Sequence, residues 1–341
     1  MAFNINLGYY RFYRFDFLVE NKYVHFLMQD KPFETPILFI IFNRPDTEQL
    51  VFNEIRKIRP RHLFVVADGP RAEKIGEREK CEVSRNIINQ VDWDCEVHKN
   101  FSDSNMGCGR RCSSGVSWFF DNVEAGIILE DDCVPDQSFF YYAEELLERY
   151  KDNEKIMFIS GGNFQGGKKR SDGDYYFSRL PHMWGWATWR RVWKKYDFDI
   201  KSLPEFLKNR TIEKIFDKKD VQNFWLEKMD GVYTHRVDTW DYQLFETIWS
   251  DDGMCVSPNV NLVSNLGFGP GATHTIVGSP TVSNVPLRSI SLPLTHPSEI
   301  LVSKEADDFD AIEYMKNTKI KNFLKKVGLF DLVRNIYRNY L

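Results

Sequence analysis

The chain is 341 residues long, carries a formal net charge of −4 and is 15% aromatic, with nine Trp. That length buries a sizeable core, the charge excludes a global basic field that would gather nucleic acid, and no apolar run approaches the ~20 residues that span a bilayer. The six cysteines (81, 95, 108, 112, 133 and 255) show no metal-ligand spacing, and the N-terminal stretch has no signal-peptide core. The expectation is reduced thiols in a cytoplasmic protein.

Residues 1 to 30 interleave Tyr9, Tyr10, Phe12, Tyr13, Phe15 and Phe17 with Arg11, Arg14 and Asp16. Two alternatives stand for them: strand-like packing on the domain, or an aromatic-basic surface touching lipid. Residues 1 to 35 are therefore taken as an N-terminal extension. The ordered fold is expected to start at Pro36, with a buried strand through Ile40 and Ile41 that ends in Asn43, Arg44 and Pro45. Leu50, Val51, Ile55 and Ile58 then recur at helical spacing. A second buried strand, Leu63 to Ala67, ends in Asp68, Gly69, Pro70 and Arg71, and a third is placed around Cys95 to Val97. The loop from Ser104 to Arg111 leads into a helix through Val116, Trp118 and Phe119. Arg110 and Arg111, near that helix start, suit an anion.

The chain is organised around Gly126 to Phe140, GIILEDDCVPDQSFF. Ile127, Ile128 and Leu129 form a run short enough for a buried strand, and it ends in Glu130, Asp131 and Asp132. Three adjoining carboxylates repel one another and are costly to desolvate. Hard oxygen ligands of this kind suit Mg²⁺ or Mn²⁺; the alternative is an acidic, solvated turn. Strand, helix, strand, helix, strand predicts an α/β fold, a mostly parallel sheet flanked by helices. The polar strand ends then share one edge, where open α/β sheets bind nucleotides.

Residues 156 to 161 give another short strand. Met183 to Arg190 holds Trp184, Trp186 and Trp189, with Trp193 close behind, and is either a packed subcore or a platform for a sugar acceptor. Residues 201 to 230 have a charged helical pattern, and Asp238 to Trp249 is expected as a helix with Asp238 and Asp241 in its first turn. Acids there either serve the site or only complement the helix dipole. Gly267, Gly269 and Gly271 mark a loop, a candidate lid, with His274 at its end. Residues 286 to 341 are taken as an appendage. Its last stretch, 316 to 341, is amphipathic and carries seven basic residues against one acid. Docking on an anionic membrane face and packing on the main domain with charges in water are both open for it.

Four blocks in this order, FIIFNRPD, VVADGPR, ILEDDCVPDQSFF and WGWATWRRVW followed by TWDYQLFE, resemble a known family. They are similar to nucleotide-diphosphosugar transferases of the glycosyltransferase-A fold, and within these to N-acetylglucosaminyltransferase I and to bacterial surface-polysaccharide glycosyltransferases. The resemblance covers roughly residues 36 to 275. It implies a catalytic domain over 36 to 285, its donor half about 36 to 165 and its acceptor half about 166 to 285. It further implies an inverting, Mn²⁺- or Mg²⁺-dependent transfer from a nucleotide-diphosphosugar, UDP-linked, to a glycan; a lipid-linked glycan met at the inner membrane face goes with the docking alternative for residues 316 to 341. On that reading Asp132 binds the metal, with His274 as an extra ligand, while Glu130 and Asp131 hold donor sugar and ribose hydroxyls. Arg44 and Asp68 bind the nucleotide, Asp68 holding the uracil, with Arg110 also on the donor; Trp186 and Trp240 meet the acceptor, and Asp241 is the catalytic base. A metal-dependent phosphohydrolase or nucleotidyltransferase, and a non-catalytic glycan-binding protein, are the alternatives.

Overall fold

The computed structural model describes residues 32 to 267 and 285 to 326. Most of the N-terminal extension, His274 with most of the glycine loop, and the last fifteen residues of the basic C-terminal stretch lie outside the described residues.

An eight-stranded sheet forms the centre. Its first half alternates with helices: β1 (Ile37–Ile41), α1 (Pro45–Ile58), β2 (His62–Ala67), α2 (Glu77–Asn86), β3 (Glu96–Phe101), α3 (Cys108–Asn122) and β4 (Ala125–Glu130). β1 to β4 are all parallel, in the spatial order β3-β2-β1-β4. Every residue of β1 is buried, as a strand covered on both faces requires. α3 packs closely on β2. A Cβ placed on Gly115 would meet Val66 Cγ1 at 2.7 Å, and Phe119 sits edge-on to Phe64 with ring centroids 5.1 Å apart.

After β4 come β5 (Cys133–Pro135), α4 (Gln137–Arg149), β6 (Ile156–Ser160), β7 (Tyr175–Ser178) and β8 (Trp186–Trp189). Asp136 caps α4, its side chain accepting from the Ser138 N–H at 2.9 Å. Short helices α5 (Arg190–Trp193), α6 (Leu203–Lys208) and α7 (Thr211–Ile215) follow, then α8 (Lys219–Tyr233), α9 (Asp241–Ser250), β9 (Met254–Pro258) and β10 (Val263–Asn265). The full order is β3-β2-β1-β4-β8-β6-β9-β7, and β10 pairs with β5 in a small second sheet. β8 is antiparallel to both β4 and β6, and β7 is antiparallel to β9. Six of the eight strands therefore run one way, and the expected α/β fold with a mostly parallel sheet is the one formed.

The tryptophan block resolves into subcore. β8 fills a central position, so both of its faces are covered, and Trp186 is 0% exposed. Its ring stacks on Phe158 at 5.1 Å and on Trp240 at 5.5 Å. The expectation that Trp186 and Trp240 offer ring faces to a sugar acceptor is corrected: both are buried, and each ring covers the other.

The last described helix, α10 (Lys304–Lys326), starts well before the basic stretch. Its first turns pack on the domain. Asp307 accepts from the Ser178 hydroxyl at 2.6 Å and from the Arg179 N–H at 3.1 Å. His182 Nε2 lies 3.1 Å from Asp310 Oδ2, both side chains being fully buried, and the Tyr314 ring stacks on His182.

Candidate functional site

The C-terminal ends of β1, β2 and β4 open on a cavity of about 750 Å³. Arg44, Asp68, Glu130 and Asp131 line it, as the sequence places them. The turn that delivers Arg44 is held from below. Glu48, fully buried in α1, accepts from the Phe42 N–H at 3.2 Å and from the Arg44 N–H at 3.1 Å. A buried carboxylate tied to two consecutive-turn amides fixes the backbone from which the guanidinium projects.

Arg44 spans the acid run. Its Nη2 lies 2.8 Å from Asp131 Oδ1, and its Nη1 lies 2.8 Å from Asp132 Oδ2. Burial opposes the guanidinium charge, but Asp131 and Asp132 outweigh it and hold Arg44 above its ordinary value. Three carboxyl groups face one guanidinium, so the cluster holds more acid than Arg44 alone can balance. Burial, with Asp132 next, pushes the Glu130 carboxyl well up; burial also raises Asp131, and Arg44 opposes it. Arg44 thus serves as the acids' counter-ion here while it lines the cavity.

The acid run offers oxygen donors of the kind a hard divalent cation takes, but among the described residues its three carboxylates do not converge on one ion-sized point, and Asp131 and Asp132 are paired with Arg44. Glu130 faces the cavity with no hydrogen-bond partner among the described residues. Asp132 Oδ1 has only long contacts, to Cys133 Sγ and to Asn265 Nδ2, each at 3.4 Å. A Cβ on Gly267 would fall 2.2 Å from Asp132 Oδ2, so a larger residue there would have to push that carboxylate aside. Glu130 and Asp132 are the residues that would hold the ion, with Asp131 once Arg44 moves off it.

Asp68 is used differently from the expectation. Its carboxylate accepts from the Gly69 N–H at 2.8 Å, the Met106 N–H at 2.9 Å and Asn105 Nδ2 at 3.0 Å. It pins the loop that starts α3 to the end of β2. Burial pushes its carboxyl up, and these amides work against that.

Of the two adjacent arginines, Arg111 lines the cavity and Arg110 does not. Successive helical residues point about 100° apart. Arg110 lies over the Phe198 ring at 5.0 Å, whereas Arg111 donates to the Ala67 carbonyl at 3.2 Å. Arg110 is therefore stacked on Phe198 here, off the cavity wall on which it was expected.

The same shift affects the acids near α9. Asp238 lines the cavity, its Oδ1 accepting from the Gly109 N–H at 3.1 Å at the start of α3. A Cβ on Gly109 would meet that oxygen at 2.5 Å. Asp241 begins α9, bonded to the Thr239 hydroxyl and to the Tyr242 N–H, and is not part of the cavity wall. Among the described residues the geometry brings in Asp238 where Asp241 was expected.

Sequence reasoning placed Arg71 at this edge as a strand-end residue and missed the two lysines of the opposite wall. Arg71, Lys74 and Lys80, from the turn after β2 and from α2, line the cavity. Arg71 is held by Glu77, with the Arg71 N–H donating to Glu77 Oε2 at 2.7 Å. Neither lysine has an ion-pair partner among the described residues. The two lysines, in the charged stretch RAEKIGEREK, carry no pattern that separates them from a solvated face. The cavity is thus two-sided, acids on one wall and unpaired ammonium groups on the other.

No family model matches the chain, and no curated protein matches it. Among solved structures it is similar to HddC from Yersinia pseudotuberculosis, at 9% identity over 50% of this chain and 86% of that one, with a TM-score of 0.30. It is also similar to 4-diphosphocytidyl-2C-methyl-D-erythritol synthase from Anaerococcus prevotii, at 11% identity over 51% and 84%, TM-score 0.31. The apo form of mouse xyloside xylosyltransferase 1 is similar at 10% identity over 63% and 81%, TM-score 0.30. At these values the likeness carries no argument, and the chain's chemistry has to be argued from its own residues.

Proposed function

We propose that the protein is an inverting glycosyltransferase. It moves a sugar from a nucleotide-diphosphosugar, UDP-linked, to a glycan hydroxyl, in bacterial surface-polysaccharide synthesis. The observation that supports this reading is the two-sided cavity at the strand ends. A nucleotide-diphosphosugar presents an anionic diphosphate beside a neutral, hydroxyl-rich sugar, and the lysine wall and the acid wall are complementary to those two parts. Lys74 and Lys80 would pair with phosphate oxygens. Glu130 and Asp131 would accept from sugar and ribose hydroxyls, and the loop pinned by Asp68 would close over the nucleotide.

Bound Mn²⁺ or Mg²⁺ would neutralise charge on the departing diphosphate. Asp238 is assigned as the base. Its carboxylate takes the proton from the acceptor hydroxyl as that oxygen attacks the anomeric carbon and the bond to the diphosphate oxygen breaks. The Gly109 N–H holds one carboxylate oxygen, which leaves the other for the acceptor.

The unpaired lysines also suit a triphosphate, which keeps a nucleotidyltransferase as the second reading. The test incubates the full chain with UDP-sugars, Mn²⁺ and glycan acceptors, and in parallel with nucleoside triphosphates and sugar 1-phosphates. The transferase reading expects UDP release that depends on acceptor. Pyrophosphate release in the second arm, with none in the first, would replace it.

A further inference from the structure

The far end of the sheet carries a second cluster, unrelated to the cavity. His62 opens β2 and stands directly opposite Glu96, the first residue of β3, in the parallel ladder. His98 lies two residues along β3 and so on the same face as Glu96. Glu96 Oε2 is 3.3 Å from His62 Nδ1 and 4.0 Å from His98 Nε2. One ligand atom from each of the three lies within 4.8 Å of the other two.

We propose that His62, Glu96 and His98 form a binding site for a divalent transition metal of the zinc class. Two imidazoles and one carboxylate are a borderline donor set, suited to Zn²⁺ or Ni²⁺, whereas the oxygen-only acid run suits Mg²⁺ or Mn²⁺. Ligand atoms around a four-coordinate zinc stand about 3.4 Å apart. The cluster therefore closes by side-chain rotation alone, with the backbone of both strands kept in register. The His98 ring is already oriented, stacked on Phe64 at 4.3 Å and 16° between planes. Phe64 is in turn fixed by Trp118 and Phe119 of α3.

Three protein ligands leave at least one coordination position to water. Glu96 is exposed and both histidines are half-buried, which leaves the ion a path in past the carboxylate. β3 is the edge strand of the sheet, so a metal bridging it to β2 fastens an edge that otherwise has one neighbour. The six residues of β2 separate this site from Asp68 by about 20 Å, too far for the two sites to share an ion.

The test uses tag-free full-length protein in millimolar Mg²⁺, which occupies the hard-oxygen acids. It is dialysed against micromolar ZnCl₂, and bound zinc is counted per chain. The parent and an Asp131→Asn/Asp132→Asn variant are expected to retain one zinc each. His62→Ala/His98→Ala is expected to retain none, and Glu96→Gln, which keeps the side-chain shape, to bind at least tenfold more weakly. Zinc is expected to raise the melting temperature of the parent and not that of the double histidine variant. Zinc retained by that variant, bound equally by Glu96→Gln, or not bound by the parent overturns the site. Should the double variant fail to fold, Glu96→Gln decides alone.

Discussion

Replacing Arg44 with Met tests the acid cluster most directly, because the stem and its packing are largely kept while the charge is lost. In the parent, Arg44 bridges Asp131 and Asp132, whose side chains are 6% and 13% exposed, and is itself 25% exposed. Breaking a buried pair by removing one partner costs about 3–5 kcal/mol. With a quarter of the guanidinium in water, the lower end applies, about 3 kcal/mol. At an unfolding entropy of roughly 2 cal/mol/K per residue, that is a fall of about 4 °C in melting temperature. The assay is thermal unfolding of both proteins, first in chelator and then with Mn²⁺. In chelator the variant is expected to melt about 4 °C lower. With Mn²⁺ both gain, and the variant gains more, because the ion no longer competes with a tethered guanidinium for the same oxygens. Equal melting in chelator, or an Mn²⁺ gain no larger than in the parent, would refute a cation seated among these acids.

Asp238→Asn keeps an oxygen for the Gly109 N–H and removes the base, so transfer is expected to fall about 10²–10⁴-fold, while Asp241→Asn stays within roughly tenfold of the parent; the reverse ranking in steady-state rates returns the base to Asp241. Burial raises the Asp307 carboxyl from its ordinary 3.8 to about 7. The folded state then keeps a proton that the unfolded chain releases, so this group's contribution declines as pH rises from about 4 to about 7 and is flat above. The full span amounts to about 4 kcal/mol. Urea unfolding at pH 5 and pH 8 should show the parent losing more stability than Asp307→Asn across that interval, and identical losses would count against it. Liposome co-sedimentation with anionic vesicles should weaken when the chain is ended after Lys326, a cut that spares the packed turns of α10; equal sedimentation of both chains removes the membrane contact.

β1, β2 and β4 were legible because each is a short apolar run closed by a polar turn, a pattern with few alternatives. The acid run, Arg44 and Asp68 were legible as strand-end residues for the same reason. What the residue pattern could not supply was rotation about a helix or the covering of a ring. Arg110 and Arg111 are neighbours in sequence and diverge by one helical step. Asp238 and Asp241 read as one first turn, yet α9 begins only at Asp241, which leaves Asp238 on the preceding loop and free to reach α3. Trp186 is equally apolar on a surface or in a core, and only the insertion of β8 between β4 and β6 determines which. Lys74 and Lys80 gain meaning from what faces them across the cavity, a relation with no local trace in the chain.

The place of β8 also orders events during synthesis. β4, which carries Glu130, has β1 on one side as soon as it leaves the ribosome, but its other neighbour is Trp186–Trp189. About 56 residues separate Glu130 from Trp186. At roughly 5–20 residues per second, β4 waits about 3–11 s as an open edge, its apolar run Ile127 to Leu129 available to any passing strand. β6 is made during that interval and cannot dock until β8 arrives, since β8 lies between them. The nascent chain therefore passes through a stage with a complete parallel half and no second half.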